Sequence, residues 1–335
     1  MSISEKNKKV LEENEGVMNN LDSSLRPQHF NDYIGQESIK NNIFILLEAS
    51  KRRHSPPEHI LLYGPPGLGK TTLAHLIAKT LNTNIKITSG PTLTKVGDLA
   101  AILTNLSPDD VLFIDEIHRL NKTIEEVLYP AMESGNIDII IGKGPAARSI
   151  QLDLPPFTLV AATTRISLLS APLRSRFSGG TYRLVFYTND ELVQIILNSA
   201  KILNTEIDKD SAMRIAERCR YTPRIANFYL KRVRDYSEVK DKKVTPELVE
   251  ECLSMLEIDN LGLSNIERDY LDIILNKFSG GPVGLSTISA AMNEDSGTLE
   301  DVLEPYLIQI GFIEKTQKGR IITNAGIKHI ERYDR

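Results

Sequence analysis

Only two cysteines, Cys219 and Cys252, occur in the 335 residues. Two lone thiols supply neither a zinc-ligand spacing nor a disulfide framework, which points to a reducing compartment and to both as small buried hydrophobes in helical sequence. No run approaches the ~18 consecutive apolar residues that a membrane-spanning helix needs. A charge surplus is missing too, with 40 Lys+Arg against 44 Asp+Glu and a net charge of -4. A field of that sign repels phosphate, so any contact with nucleic acid must come from a local patch. There is no internal repeat and no low-complexity tract. The opening residues mix Lys6, Lys8 and Lys9 with Glu5, Glu12, Glu13 and Glu15. They lack both the apolar run of a secretory signal and the acid-poor character of a transit peptide. Residues 1–24 are expected to be a flexible tail on a cytoplasmic protein.

What is present is ordinary globular composition, 41% hydrophobic and 25% charged, at a length that suits two or three domains. From Leu25 to Tyr187, short apolar runs alternate with amphipathic stretches. Ile60–Tyr63, Val111–Ile114 and Phe157–Ala162 read as strands buried on both faces, the signature of a parallel sheet covered by helices. Leu73, Leu76, Ile77 and Leu81 fall at helical spacing between the first two runs. The fold class is therefore α/β. Ile137–Ile141 and Ser149–Leu154, around Gly142-Lys143-Gly144-Pro145, predict an inserted hairpin near 137–154. Residues 188–258 turn wholly helical, with Asp190 expected to cap the first helix and Thr245-Pro246-Glu247 the last. From Asp259 to Arg335, three helices and two short strands form a winged-helix pattern. Pro305 sits inside the third of these helices, where it should kink or break it.

Gly64-Pro65-Pro66-Gly67-Leu68-Gly69-Lys70-Thr71 fits G-x-x-x-x-G-K-[ST], in the required setting after a buried strand and before a helix. Glycines let the backbone wrap phosphate oxygens, and the N–H groups at the helix start carry partial positive charge. Lys70 should reach the β- and γ-phosphates of ATP, and the Thr71 hydroxyl should bind Mg²⁺. Asp115-Glu116 closes the second run, Asp115 as a Mg²⁺ ligand through water and Glu116 as the base that polarises the attacking water. An acidic strand end is common in α/β proteins; the phosphate loop upstream is what makes the pair informative. Thr163-Thr164-Arg165 ends the third run, as a γ-phosphate-sensing hydroxyl or as a plain turn. Arg174 and Arg176 are salt-bridge arginines or, as in ring ATPases, a finger entering a neighbour's site. Arg224 opens a helix after Pro223 and either reaches back to phosphate or lies on the helix surface. Lys315, Lys318 and Arg320 cluster at the wing tip of an otherwise acidic segment, as a phosphate-contacting corner or a solvated turn.

Leu25-Arg26-Pro27, Asp32–Gln36, Gly64–Thr72, Asp98–Asn105, Asp115–Leu120, Gly142–Leu154, Ala171–Phe177, Thr222–Asn227 and Gly280–Gly284 together resemble the RuvB family of AAA+ ATPases, which drive branch migration of Holliday junctions. The hairpin and the winged-helix segment are its most specific parts. The resemblance implies an AAA+ P-loop domain (25–187), a helical lid (188–258) and a DNA-binding winged helix (259–335). It implies a homo-hexameric ring on duplex DNA that works with RuvA, docked through the hairpin near Ile137–Leu152, and with RuvC in recombination and DNA repair. By the same resemblance Leu25, Arg26 and Ile34 surround the base and sugar of ATP. Gly64, Gly67, Gly69, Lys70, Thr71 and Thr72 cradle its phosphates, and Glu133, Ser134, Gly135 and Tyr187 are further nucleotide contacts. Thr164 becomes the sensor hydroxyl, Arg176 the trans finger, Arg224 the second sensor, and Lys315 and Arg320 the DNA contacts. Ser134-Gly135 replace acidic and aromatic residues, the segment Ser178–Tyr182 is one residue longer than usual, Tyr221 stands where glycine is usual, and Lys315 and Gln317 replace arginine and proline. Two alternatives remain: a clamp-loader-like ATPase, which would end in a helical collar, and a nucleotide-switched DNA-binding protein without turnover, which would have lost its catalytic groups.

Overall fold

The computed structural model describes residues 24–141 and 148–333. The expected N-terminal tail, apart from Ser24, and the Gly142–Pro145 turn lie outside them. The chain divides into two compact units: residues up to Ile202 together with Thr222–Arg224, and Leu203–Tyr221 together with Ile225 onward. Among the described residues no helix is long and apolar enough to cross a membrane.

The first unit is built on five parallel strands, side by side in the order β2 (Ile85–Ser89), β3 (Val111–Asp115), β6 (Thr158–Thr163), β1 (Ile60–Tyr63) and β7 (Thr181–Arg183). The central ones, β1, β3 and β6, are buried almost throughout. Leu61, Leu112, Ile114, Leu159 and Ala161 share one core with Leu99, Leu103, Ile124 and Leu128, so one sheet face is sealed by helices α3 (Val96–Thr104) and α4 (Lys122–Glu133). Leu73, Leu76 and Ile77 of α2 (Lys70–Leu81), which touches β3 and β6, are buried as well. Burial on both faces is what produces continuous apolar runs rather than alternation. The outer strands β2 and β7 were not expected. Both are edge strands, and β2 keeps Lys86 and Ile87 exposed. Helix α1 (Glu37–Arg53) precedes β1, and β4 (Asn136–Ile141) pairs antiparallel with β5 (Arg148–Asp153), Ile139 opposite Ile150, as the expected hairpin. A short α5 (Ala171–Ser175) follows β6. Helix α6 (Asn189–Ile202) closes the unit. Its cap is Thr188 rather than Asp190: the Thr188 N–H and hydroxyl reach Glu191 at 2.7 and 3.0 Å, and the Glu191 N–H returns to Thr188 at 3.3 Å. Asp190 already lies inside the first turn.

The second unit begins with α7 (Lys209–Ala216), most of α8 (Pro223–Lys240) and α9 (Pro246–Met255), whose N-cap Thr245 accepts the Leu248 N–H as expected. Cys252 is on α9, whereas Cys219 sits in the turn after α7; both are buried and neither is in a disulfide. Then come α10 (Asn265–Asp272), α11 (Leu285–Met292) and α12 (Glu304–Gln309), the wing hairpin β8 (Ile313–Thr316) and β9 (Gly319–Ile322), and α13 (Asn324–Tyr333). Tyr270, Ile274, Ile288, Leu307 and Phe312 form their common core. Pro305 does interrupt the third helix. Having no N–H, it cannot answer the carbonyl four residues back, and Leu299–Leu303 widen into a π turn whose last bond runs from the Glu304 N–H to Leu299.

Candidate functional site

Parallel pairing puts the carboxyl ends of β3, β6 and β1 side by side, where ligands bind in open α/β sheets. The loop after β1 carries Gly64–Gly69, the turn after β3 carries Glu116, and the end of β6 carries Thr163 and Thr164.

The phosphate loop needs its glycines for two separable reasons. Gly69 has φ of 95°, and a Cβ there would stand 2.8 Å from the Tyr33 hydroxyl. At Gly67, φ 81°, a Cβ would meet the Cβ of Arg224 at 3.3 Å, and the Arg224 N–H reaches the Gly67 carbonyl at 3.4 Å. The arginine that resemblance assigns to phosphate sensing is therefore brought against the loop. Lys70 is buried, its Nζ donating to the carbonyls of Gly64 (2.8 Å) and Pro65 (2.9 Å). Burial pulls its pKa below the usual lysine range, partly countered by the charges of Glu116 and Asp115. Burial likewise pushes the Asp115 carboxyl up, against a stabilising bond from the Glu116 N–H to Oδ1 at 2.9 Å. Oδ2 of Asp115 and the Thr71 hydroxyl are the oxygens that could hold a cation here. Among the described residues no cluster of three His, Cys, Asp or Glu exists to cage a metal. Oxygen donors of this kind would suit Mg²⁺, which keeps several waters and shares phosphate oxygens.

Glu116 is held in the left-handed region at φ 46°, uncommon for a side chain with a Cβ and typical of functional turns. One of its oxygens, Oε2, takes the Thr164 N–H and the Thr164 hydroxyl, each at 3.1 Å, and lies 3.0 Å from His118 Nδ1. That nitrogen is also 2.9 Å from the Thr163 hydroxyl, which accepts the Arg165 N–H at 3.0 Å. Burial lowers the His118 pKa. His118 is a member of this network that sequence reasoning did not single out, although it lies within the quoted Asp115–Leu120 stretch.

Behind the loop, Tyr187 is buried, its hydroxyl 3.2 Å from that of Tyr33 and 3.3 Å from the Leu68 carbonyl oxygen. Burial raises the pKa of both phenols. Tyr33 was quoted in the resemblance but assigned no role; it lies beside Ile34, which is half-buried. Leu25 is buried, and Arg26 Nη1 pairs with His75. Thr71 and Thr72 occupy the first turn of α2.

The remaining residues fall elsewhere. Arg176 contacts Tyr129, Pro172 and Glu133, a set that shares no member with the Lys70, Asp115 and Glu116 group. Ser134 and Gly135 follow Glu133 at the end of α4. In the second unit Lys315 is exposed on β8 beside Glu300. Arg320, expected as a DNA contact, is buried, its Nε–Nη2 edge forked onto Glu304 at 2.8 and 3.1 Å. Tyr270 completes that pair through its hydroxyl, 2.8 Å from Glu304.

Three family models match the chain in succession: the P-loop domain of the Holliday junction DNA helicase RuvB over residues 25–184, the RuvB AAA lid domain over 187–259, and the RuvB C-terminal winged helix domain over 260–331. The Holliday junction branch migration complex subunit RuvB of Fusobacterium nucleatum subsp. nucleatum is 52% identical over 315 residues, spanning 94% of this chain and 95% of that protein. The solved Thermotoga maritima RuvB Holliday junction branch migration motor superposes with a TM-score of 0.82 at 48% identity, covering 92% of this chain and 98% of the other. A point mutant of the same motor gives 0.83 at 48% identity, with 91% and 98% covered.

Proposed function

The chain belongs to the RuvB family of Holliday junction DNA helicases, and on that footing we propose that it is the ATP-hydrolysing subunit of a ring that drives branch migration, with its catalytic groups divided between neighbouring copies. It is a nucleotide-binding P-loop ATPase. Lys70, now bonded to its own loop's carbonyls, would exchange them for the β- and γ-oxygens of ATP. Thr71 and Asp115 would hold Mg²⁺, which neutralises charge on those oxygens. Glu116 would orient and polarise water under the hold of Thr164. Leu25, Arg26, Ile34, Thr72 and Tyr187 would line the nucleotide, with Arg224 reading its γ-phosphate from the start of α8.

One observation carries the division of labour: Arg176 is paired with Glu133 and stacked on Tyr129, contacts that include no residue of its own phosphate loop. We assign it, with the stretch Glu133–Gly135, to the site of the adjacent subunit, where an arginine finger is worth roughly 10³–10⁵ in rate. The ring would be a cytoplasmic homo-hexamer on the DNA of a four-way junction. RuvA would dock on the β4–β5 hairpin and RuvC act on the same junction. DNA phosphates would meet Lys315, with Arg320 shaping the wing and offering at most its Nη1 edge. We divide the modules at residues 25–187, 188–258 and 259–335. The winged-helix end and the intact Glu116 leave neither the clamp-loader reading nor the non-hydrolysing switch favoured.

The test is complementation. Arg176→Ala and Glu116→Gln subunits, each inactive, should regain ATPase on junction DNA with RuvA when mixed, since only the mixed seam holds both a finger and a base. Mixtures as dead as the separate variants would overturn the shared site.

A further inference from the structure

Arg176 follows α5 directly, and three contacts fix its guanidinium. The guanidinium carbon lies 4.3 Å from the centroid of the Tyr129 ring. Nη1 donates to the Pro172 carbonyl at 2.6 Å, and Nη2 pairs with Glu133 at 3.0 Å. Nε is buried with no hydrogen-bond partner among the described residues. A buried N–H left unpaired is costly, so hydrogen bonding alone does not account for where this group rests. A flat cation over an aromatic face does, because the ring quadrupole attracts it without using any N–H.

The ring is itself fixed from behind. Its hydroxyl donates to Glu125 Oε1 at 2.6 Å and lies 3.1 Å from the Ser170 hydroxyl. Ser170 also bonds to Glu125, and it accepts the Leu173 N–H at 3.2 Å as the N-cap of α5. The same small network therefore ties α4 to the start of the helix that ends in Arg176. Glu133, by contrast, is more than half exposed, so the Nη2 pairing sits at the surface where another anion can replace it.

We infer that Tyr129 is a positioning residue for Arg176, a platform that holds the guanidinium by its face so that Nη2 can exchange Glu133 for a neighbour's phosphate. This rests on the trans reading of Arg176. A leucine would fill the space without attracting the cation; a phenylalanine would keep the stack and sever the link to Glu125 and Ser170.

The experiment measures ATPase on junction DNA for Tyr129→Leu, Tyr129→Phe and Arg176→Ala, each by itself and mixed with Glu116→Gln subunits. Tyr129→Leu should lose roughly tenfold in kcat with KM for ATP within about twofold, and Tyr129→Phe roughly threefold. Both should be restored by Glu116→Gln subunits, which bring intact fingers to the variant's intact sites. A merely structural tyrosine would damage the subunit's own site, which no partner repairs. Should Tyr129→Leu fail to fold, the same restoration is read on Tyr129→Phe. Full activity of a folded Tyr129→Leu, or a Tyr129 defect left unrestored while Arg176→Ala is restored, overturns the platform. Arg176→Ala that cannot be restored overturns the trans finger itself, and the platform with it.

Discussion

Thr164 gives both its backbone N–H and its hydroxyl to the same oxygen of Glu116, at 3.1 Å in each case. Glu116, the proposed general base, is thereby tied to the end of the neighbouring strand. A carboxylate oriented from two points has less rotational freedom to lose in polarising a water.

Thr164→Val keeps the N–H bond and removes the hydroxyl. Losing one orienting donor on a general base should lower kcat by roughly tenfold or more while KM for ATP stays within about twofold. Steady-state ATPase with junction DNA measures both. An unchanged kcat would show that the backbone bond suffices.

The wing separates two kinds of cation. Arg320→Ala would leave the buried Glu304 carboxylate uncompensated, at a cost of about 3–5 kcal/mol, read as a lower unfolding midpoint. Lys315→Ala breaks only an exposed pair with Glu300 and should leave stability within ~1 kcal/mol. It should instead weaken DNA binding evenly across sequences and reduce the salt slope by about one. Sequence-selective loss, or no change in slope, would remove Lys315 from the phosphate contact.

Asp259 should mark the acid limb of stability. Its burial would by itself raise the carboxyl's pKa; the bond to His329 and the N–H groups of Leu263 and Leu261, at 2.8 and 2.9 Å, outweigh it and hold the value below the usual range. A depressed folded pKa contributes stability that is present above the unfolded value near ~4 and lost as pH falls through the folded one. Unfolding midpoints should therefore drop below about pH 4. Asp259→Asn should flatten that drop and cost roughly 2 kcal/mol at neutral pH. An unaltered pH profile in the variant would assign the acid limb to other groups.

Burial pushes the Cys252 thiol up to about 11. Only the thiolate is nucleophilic, so at pH 8 about one part in a thousand is reactive. Alkylation in the native state should be far slower than in denaturant, where the thiol recovers its ordinary pKa. Equal rates with and without denaturant would mean that the α9 core opens readily.

Much of this was legible beforehand. The central strands announced themselves because a strand covered on both faces must be apolar throughout, as Val111–Ile114 is. The phosphate loop and the Asp115-Glu116 pair were recognisable because their chemistry is carried by contiguous residues. Edge strands β2 and β7 escaped because Lys86 and Arg183, exposed at the margin, dilute the same signal. By residue type Asp190 is as good a cap as Thr188 two positions earlier, and only the start of the helix distinguishes them.

Residue order by itself determined the central strands, the glycine-rich loop after β1 and the acid that follows β3, because each depends on neighbours within a few positions. Which side chains meet across the fold was decided only by tertiary structure. Tyr187 comes to Tyr33 from far along the chain, Arg320 turns inward to Glu304, and Arg176 lies on Tyr129. The physical reason is desolvation: a buried charge or hydroxyl must find a partner wherever packing has placed one, and packing is a property of the whole core rather than of any local pattern.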